Sequence, residues 1–315
     1  MISFLKEKKI LVTGGKGFIG SHVTDILQSE FGVSKENLVI PASEDYDLRI
    51  LDNCFKITKG IDVVLHLAAK VGGVGYSSKF PATQYYDNIL MDLQIVEAAR
   101  QNNVKKFVLV SSSCAYPKDC EYPLREDYLF DGLPQETNRA YGIAKRIEVV
   151  QAEAYQQQYG MNIVVVIPNN AYGPRDHFSP EYSHVIPSLI KKCLESGDNN
   201  EVVLWGDGTP TRDFLYVKDF ARGVILAALK LKGNEPVNLG SGVETSIKEL
   251  AQLIAELTGF NGHFVYDTSK PNGQPRRSVD ISRAKNLLGF VPAYSLKEGL
   301  KETIAWYKEN FSLIT

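Results

Sequence analysis

The sequence predicts an α/β protein: a parallel sheet wound on both faces by helices, followed by a smaller, mostly helical C-terminal lobe. Three features of the 315-residue chain predict it. Apolar runs too short for helices recur through the first half, helix-period segments separate them, and a glycine-rich turn joins the first run to the first helix. Strands that are apolar on both faces and separated by helices imply a parallel sheet covered on both sides.

The strand-like runs are residues 10–13, 38–40, 63–67, 107–110 and 163–167. The helical segments between them are 18–28, 81–101 and 141–159. In the second of these, Tyr85, Ile89, Asp92, Val96 and Ala99 recur every three or four residues, with Leu90 and Leu93 widening the stripe. After Pro168 the composition turns to Asn, Gly, Pro, His and Ser as far as residue 187, which is loop chemistry. A helix over 185–195 and a loop through 206–210 follow. The run 214–217 and a helix over 219–231 read as a return to the first lobe, and 241–315 as two or three helices around a loop at 269–275.

KILVTGGKGFIGSHV places Gly14, Gly17 and Gly20 directly after the first strand, at the opening of a helix. Such glycines permit a tight turn and close backbone approach to a pyrophosphate, while the helix N-terminus supplies N–H donors. In this strand–turn–helix setting the motif reads as a Rossmann dinucleotide site. Cofactor contacts are expected from Gly14, Lys16, Gly17, Phe18, Ile19 and Gly20, from Ser43, Asp47 and Leu48, and from Ala68 and Ala69. A carboxylate at the tip of the second strand would bond the ribose 2′-hydroxyl and repel a 2′-phosphate. Here the strand exits as LVIPAS, and Lys16 and Ser43 suit a phosphate, so NADP is the expected cofactor. Glu44 and Asp45, next in line, leave NAD open. The expected division is a dinucleotide-binding unit of 1–168 plus 213–240 and a substrate unit of 169–212 plus 241–315.

Bulk composition narrows the partners. A formal charge of −2 gives no electrostatic reason to expect nucleic acid or an anionic membrane. No apolar stretch approaches the roughly 20 residues a membrane span needs. The N-terminus, MISFLKEKKILVTGG, is too short in apolar residues and too rich in lysine to read as a signal peptide. Cys54, Cys114, Cys120 and Cys193 show no zinc-site spacing, so no metal is expected. A cytoplasmic protein with reduced thiols is the expectation.

Tyr141 and Lys145, in AYGIAKRIEV, are four apart on a helix and share a face. A tyrosine hydroxyl titrates near about 10, and a neighbouring ammonium favours its phenolate, which makes it a usable acid or base. Ser112 stands at the exit of the fourth strand, on the sheet edge where open α/β proteins bind ligands. In this constellation the sequence resembles the short-chain dehydrogenase/reductases, in the extended branch that acts on nucleotide sugars. The resemblance implies that Ser112 and Tyr141 hold the sugar carbonyl or hydroxyl and that Lys145 binds the nicotinamide ribose.

Within that branch the chain is most similar to the GDP-L-fucose synthase family of 3,5-epimerase/4-reductases. The likeness runs through AAKVGGVG (68–75), SSCAYP (112–117), YGIAK (141–145), NNAYGP (169–174), SHVIP (183–187), GTPTRDFLYVKD (208–219) and PNGQPRR (271–277). It implies that Cys114 and His184 move protons at the carbons flanking the keto group. The chemistry agrees: a 4-keto group acidifies C3–H and C5–H, and a thiol (about 8.5) and an imidazole (about 6.5) both exchange protons near neutrality. The resemblance also gives Asn170, Arg212 and Arg277 to the nucleotide or its diphosphate, for which a guanidinium fork is well shaped. Dehydratases of the branch carry an acidic pair after the strand-end serine or threonine; Ser113-Cys114 stands there instead. His22, His66, His177 and His263 have no partner argument and read as structural, as do Cys54, Cys120 and Cys193.

The expected function is NADP(H)-dependent 3,5-epimerisation and 4-reduction of a nucleotide-linked 4-keto-6-deoxy sugar, GDP-linked by the resemblance. The alternatives are an NAD-dependent nucleotide-sugar 4-epimerase, a GDP-sugar C4-reductase/epimerase with a different sugar, and a nucleotide-sensing binding protein on the same fold. Ile89, Val96, Val149 and Val150 read as apolar residues beyond a single core stripe. With the resemblance, they imply a homodimer through the two long helices.

Overall fold

The computed structural model describes residues 2–179, 183–196, 200–233, 235–270 and 272–314. Residues 180–182 of the predicted loop and Pro271 of PNGQPRR lie outside them. The first half runs α1 (Ile2–Lys6), β1 (Ile10–Thr13), α2 (Phe18–Ser29), β2 (Leu38–Val39), α3 (Leu51–Thr58), β3 (Val63–His66), α4 (Val74–Lys79), α5 (Pro81–Gln101), β4 (Lys106–Val110), α6 (Arg139–Tyr159) and β5 (Ile163–Pro168). Next come β6 (Ala171–Tyr172), α7 (Val185–Glu195), β7 (Glu201–Trp205), β8 (Thr211–Asp213), β9 (Leu215–Tyr216), α8 (Val217–Lys230) and β10 (Val237–Leu239). The chain closes with β11 (Glu244–Ser246), α9 (Ile247–Thr258), β12 (His263–Asp267), β13 (Arg276–Arg277), α10 (Ser282–Leu288) and α11 (Leu296–Ile314).

Six parallel strands form the central sheet in the order β10-β5-β4-β3-β1-β2. The period-2 alternation of β1 sends Ile10 and Val12 to one face and Leu11 to the other. On the first face α2 and α8 cover the sheet with Val23, Leu27, Phe220 and Val224. On the second, α3, α5 and α6 cover it with Ile57, Ile95, Val96, Val149 and Ala152. Each such side chain contributes about 1.5–3 kcal/mol on burial. The chain reverses direction across the sheet at β1, so a crevice opens where β1 and β3 end. Thr13 is registered with His66 there, and β4 ends alongside.

Three expectations are corrected. Val96 and Val149, expected to be spare for an outward face, are 0% and 5% exposed and belong to the core. The large apolar residues left outside on the two long helices are Tyr85, Tyr86, Leu93, Val150 and, at the last position of α6, Tyr159. The run 214–217 does not rejoin the central sheet: β9 pairs with β6, and β10 completes the sheet instead. The later segments are also less purely helical than expected. A third core, drawn from α7, α9 and α11, packs under β7, which pairs in parallel with β12.

Candidate active site

β4 delivers a short 3-10 turn, Ser113–Ala115, to the edge of the sheet. Ser112 caps it, its Oγ accepting from the Cys114 N–H at 3.2 Å. Two bonds dock α6 onto this turn: Ser111 Oγ donates to Lys145 O at 2.7 Å, and Arg146 Nε donates to Ala115 O at 2.8 Å. Gly142 lies flat against the Cys114 carbonyl, where any Cβ would collide. The turn and Tyr141 are therefore held in one fixed relation.

Asn169 stitches the turn to the later segments. Its Oδ1 accepts from Ser113 Oγ at 2.8 Å, while its Nδ2 donates to Asp213 O and Arg277 O at 3.3 and 3.4 Å. Asn170 donates to Asn169 Oδ1 and Asp213 O at 3.1 and 3.0 Å, so its amide is a brace within the same joint. Arg277 reaches the turn directly, its guanidinium donating to Cys114 Sγ at 3.6 Å. Arg212 is its neighbour, anchored by Thr211 O and Gln274 O at 2.7 and 2.9 Å. Burial, with the Arg277 charge adding to it, pushes the Arg212 pKa down to about 10. Neither guanidinium has a carboxylate partner among the described residues. Two neighbouring guanidiniums without a carboxylate partner have the charge and fork geometry that suit a diphosphate.

Burial pushes the Tyr141 hydroxyl above its ordinary pKa, against the opposing effects of Lys145 and of a hydrogen bond with Ser112. The sequence argument had the ammonium favour the phenolate; desolvation outweighs it here, so Tyr141 keeps its proton and is poised as a donor. Lys145 is itself buried, which alone would drive its pKa down, but Asp92, Glu148 and Tyr141 hold it raised. A cavity of about 380 Å³ reaches Tyr141 from the side of α4 and α5, lined also by Ser77, Gln84, Thr137 and Asn138.

His184 is the N-cap residue of α7. The residue is exposed, and its side chain makes no hydrogen bond or ion pair among the described residues. Protein crowding desolvates the imidazole enough to lower its pKa, and His177 adds to the shift. The preceding residue, Ser183, lies with its carbonyl against Gly73, at the N-cap of α4. The geometry thus brings Ser112, Cys114, Tyr141, Lys145, Arg212 and Arg277 together, with Asn170 at the base. His184 comes from a different element, the N-terminus of α7, and shares no hydrogen bond with these residues.

The glycine turn is a cradle for a dinucleotide. Gly14 has φ +67°, and a Cβ there would come within 2.8 Å of Ala68 N. A Cβ at Gly20 would strike the Gly14 carbonyl. Close backbone approach is what a pyrophosphate needs at the start of α2. Lys16 and Ser43 stand exposed at the mouth, and Lys16 helps lower the neighbouring Glu44 carboxyl, after that residue's own backbone N–H. The Asp47 carboxylate is taken up by Arg49, which also binds Asp87 at 2.9 Å, so Asp47 clamps this loop to α5. Leu48 is buried behind it, and its carbonyl accepts from Cys54 Sγ. The glycine turn with Lys16 and Ser43 fits a dinucleotide phosphate, whereas Asp47 and Leu48 hold the loop beside it.

Sequence reasoning missed the groups behind Lys145. His66, read as structural, links Thr13 on β1 to Asp92 on α5, and Asp92 and Glu148 flank the lysine. The available signal was Asp92 itself, a carboxylate inside the apolar stripe of α5. Asn169 was missed beside Asn170 because adjacent amides carry no mark of which one braces.

Comparison with known proteins places residues 10–240 on the family model for the NAD dependent epimerase/dehydratase family. The chain is 40% identical to the putative GDP-L-fucose synthase 2 of Arabidopsis thaliana, over 98% of this chain and 94% of that one. It is 37% identical to the GDP-L-fucose synthase of Escherichia coli (strain K12), over 97% and 98%. Among solved structures, a GDP-L-fucose synthetase from Naegleria fowleri bound to NADP superposes with a TM-score of 0.89 at 33% identity, covering 98% and 96% of the two chains. A GDP-6-OMe-4-keto-L-xylo-heptose reductase from C. jejuni gives 0.90 at 27% identity, covering 97% and 99%.

Proposed function

The chain belongs to the NAD dependent epimerase/dehydratase family, and on that footing we propose that it is an NADP-dependent 3,5-epimerase and 4-reductase of a GDP-linked 4-keto-6-deoxy sugar. One observation carries the assignment: Cys114, a proton-transfer group, neighbours the Ser112/Tyr141 pair and touches the Arg277/Arg212 anion site at once. A plain C4-reductase has no use for a thiol at that point.

The diphosphate is gripped by Arg212 and Arg277, which presents the sugar to the turn at the end of β4. Ser112 and Tyr141 donate hydrogen bonds to the 4-keto oxygen and stabilise the enolate that forms when a proton leaves C3 or C5. Cys114 and His184 remove and return those protons on opposite faces of the ring. The turn of Gly14, Gly17 and Gly20 would hold NADPH, whose chemistry there would be hydride supply to C4. Tyr141 then gives its proton to the resulting oxygen, with Lys145 beneath it. Residues 1–168 plus 213–240 bind the dinucleotide, and 169–212 plus 241–315 the nucleotide sugar. Tyr85, Tyr86, Leu93 and Val150 suit a homodimer packed through α5 and α6.

The test is NADPH oxidation by the purified protein with GDP-4-keto-6-deoxymannose, followed by NMR of the product. The proposal requires turnover to a sugar inverted at C3 and C5. A product reduced at C4 with both neighbours unchanged would make the protein a simple C4-reductase.

A further inference from the structure

Behind Tyr141 runs a line of buried polar groups that the chemistry above leaves unexplained. The Lys145 ammonium is 2.6 Å from Glu148 Oε1 and 3.4 Å from Asp92 Oδ2. The other Asp92 oxygen is 2.9 Å from His66 Nε2, and His66 Nδ1 is 2.7 Å from Thr13 Oγ1. Side-chain exposures of Lys145, Asp92, Glu148 and His66 are 2%, 4%, 0% and 0%. One buried ammonium thus faces two buried carboxyl groups, an arrangement that is unfavourable if both are ionised.

Counting donors shows where the compensating proton sits. His66 Nε2 faces Asp92 Oδ1, which as a carboxylate can only accept, while the Thr13 hydroxyl, which also accepts from the Ala68 N–H at 3.3 Å, sits against Nδ1. That leaves the imidazole proton on Nε2, directed at Asp92. Asp92 therefore collects donors from both His66 and Lys145. Glu148 receives only Lys145, and its Oε2 has no donor among the described residues. Asp92 and Glu148 also lie within hydrogen-bonding reach of each other, a contact that two carboxylates cannot make without a proton between them.

We propose that Glu148 is a neutral carboxylic acid that accepts from the Lys145 ammonium and donates to Asp92, positioning the lysine beneath Tyr141 against a single counter-charge. The inference rests on Tyr141 and Lys145 being the reducing pair. The directions of titration agree: burial drives Glu148 far above the carboxylate range, whereas Lys145 and His66 overcome burial to keep Asp92 below it.

The test is ¹³C NMR of the protein labelled at glutamate side-chain carboxyls. One resonance should stay at the neutral-acid position through neutral pH, vanish in Glu148→Gln and survive Glu126→Gln, the other buried glutamate among the described residues. In kinetics, Glu148→Ala should lower kcat about tenfold, with Glu148→Gln restoring most of the loss because an amide can still accept from Lys145 and donate to Asp92. Glutamates that all titrate as ordinary carboxylates would overturn the proposal, as would a Gln variant as impaired as the Ala variant. If Lys145→Met still reduced substrate while the neutral-acid signal persisted, the assignment of the reducing pair would fail and the proton placement would stand.

Discussion

Gly142, the residue after Tyr141 on α6, packs directly against the carbonyl of Cys114. This contact sets the distance between the proton donor of one helix and the thiol of the neighbouring turn. Gly142→Ala must push them apart, since neither backbone can yield without breaking the Ser111 and Arg146 bonds that dock α6. A shift of an ångström at a reacting centre costs about 100-fold in rate. Steady-state kinetics should show that loss in kcat, and thermal melts a destabilisation of about 1–3 kcal/mol from overpacking.

The two guanidiniums should separate by kinetics. Arg212 is bonded to backbone carbonyls and does not touch the thiol, so Arg212→Gln should raise KM for the GDP-sugar by about tenfold to a hundredfold at similar kcat. Arg277 also donates to Cys114 Sγ, so Arg277→Gln should raise KM and lower kcat together. Equal patterns in the two variants would remove the distinction.

The pKa of His184 is lowered, so its imidazole remains neutral through pH 7 and gains a proton only below the ordinary value of about 6.5. Solvent-proton exchange at the sugar carbons should therefore keep full rate at neutral pH, and its acid limb should lie below that value. His184→Asn should abolish that limb together with the exchange it governs.

Much of this was readable from residue order. Strands β1, β3, β4 and β5 are apolar on both faces, and nothing but a covered parallel sheet buries such runs. β7 and β12 escaped because they are partly exposed rather than apolar on both faces, and they pair across some sixty intervening residues. The candidate site residues of the first half lie close together in the sequence: Ser112 and Cys114 are two apart, and Tyr141 and Lys145 share one helix face. The Thr13–His66–Asp92–Lys145–Glu148 line draws on four separate elements, and only the fold brings it together. His184 could be named from its motif, but its placement at the start of α7, next to the contact of Ser183 with Gly73, comes from the fold.

Asp176 offers a test through stability. Burial raises its carboxyl to about 7, with the His177 N–H offsetting only part of the effect. A carboxyl raised in this way binds more protons folded than unfolded. Its contribution is therefore full below the unfolded value of about 3.9 and is lost as pH rises through about 7. Asp176→Asn should be more stable than the parent protein at about pH 8, by up to about 4 kcal/mol, with the advantage fading as the pH falls towards about 4. Denaturant midpoints across that range check the sign.

The central claim is that Cys114 and His184 exchange protons at the carbons beside the keto group. Turnover of GDP-4-keto-6-deoxymannose with NADPH in deuterated water, read by NMR, tests it most directly. The parent protein should place deuterium at both C3 and C5, and Cys114→Ala combined with His184→Ala should abolish the label while NADPH binding persists. Undiminished labelling in the double variant, or an unlabelled product from the parent protein, would contradict the account.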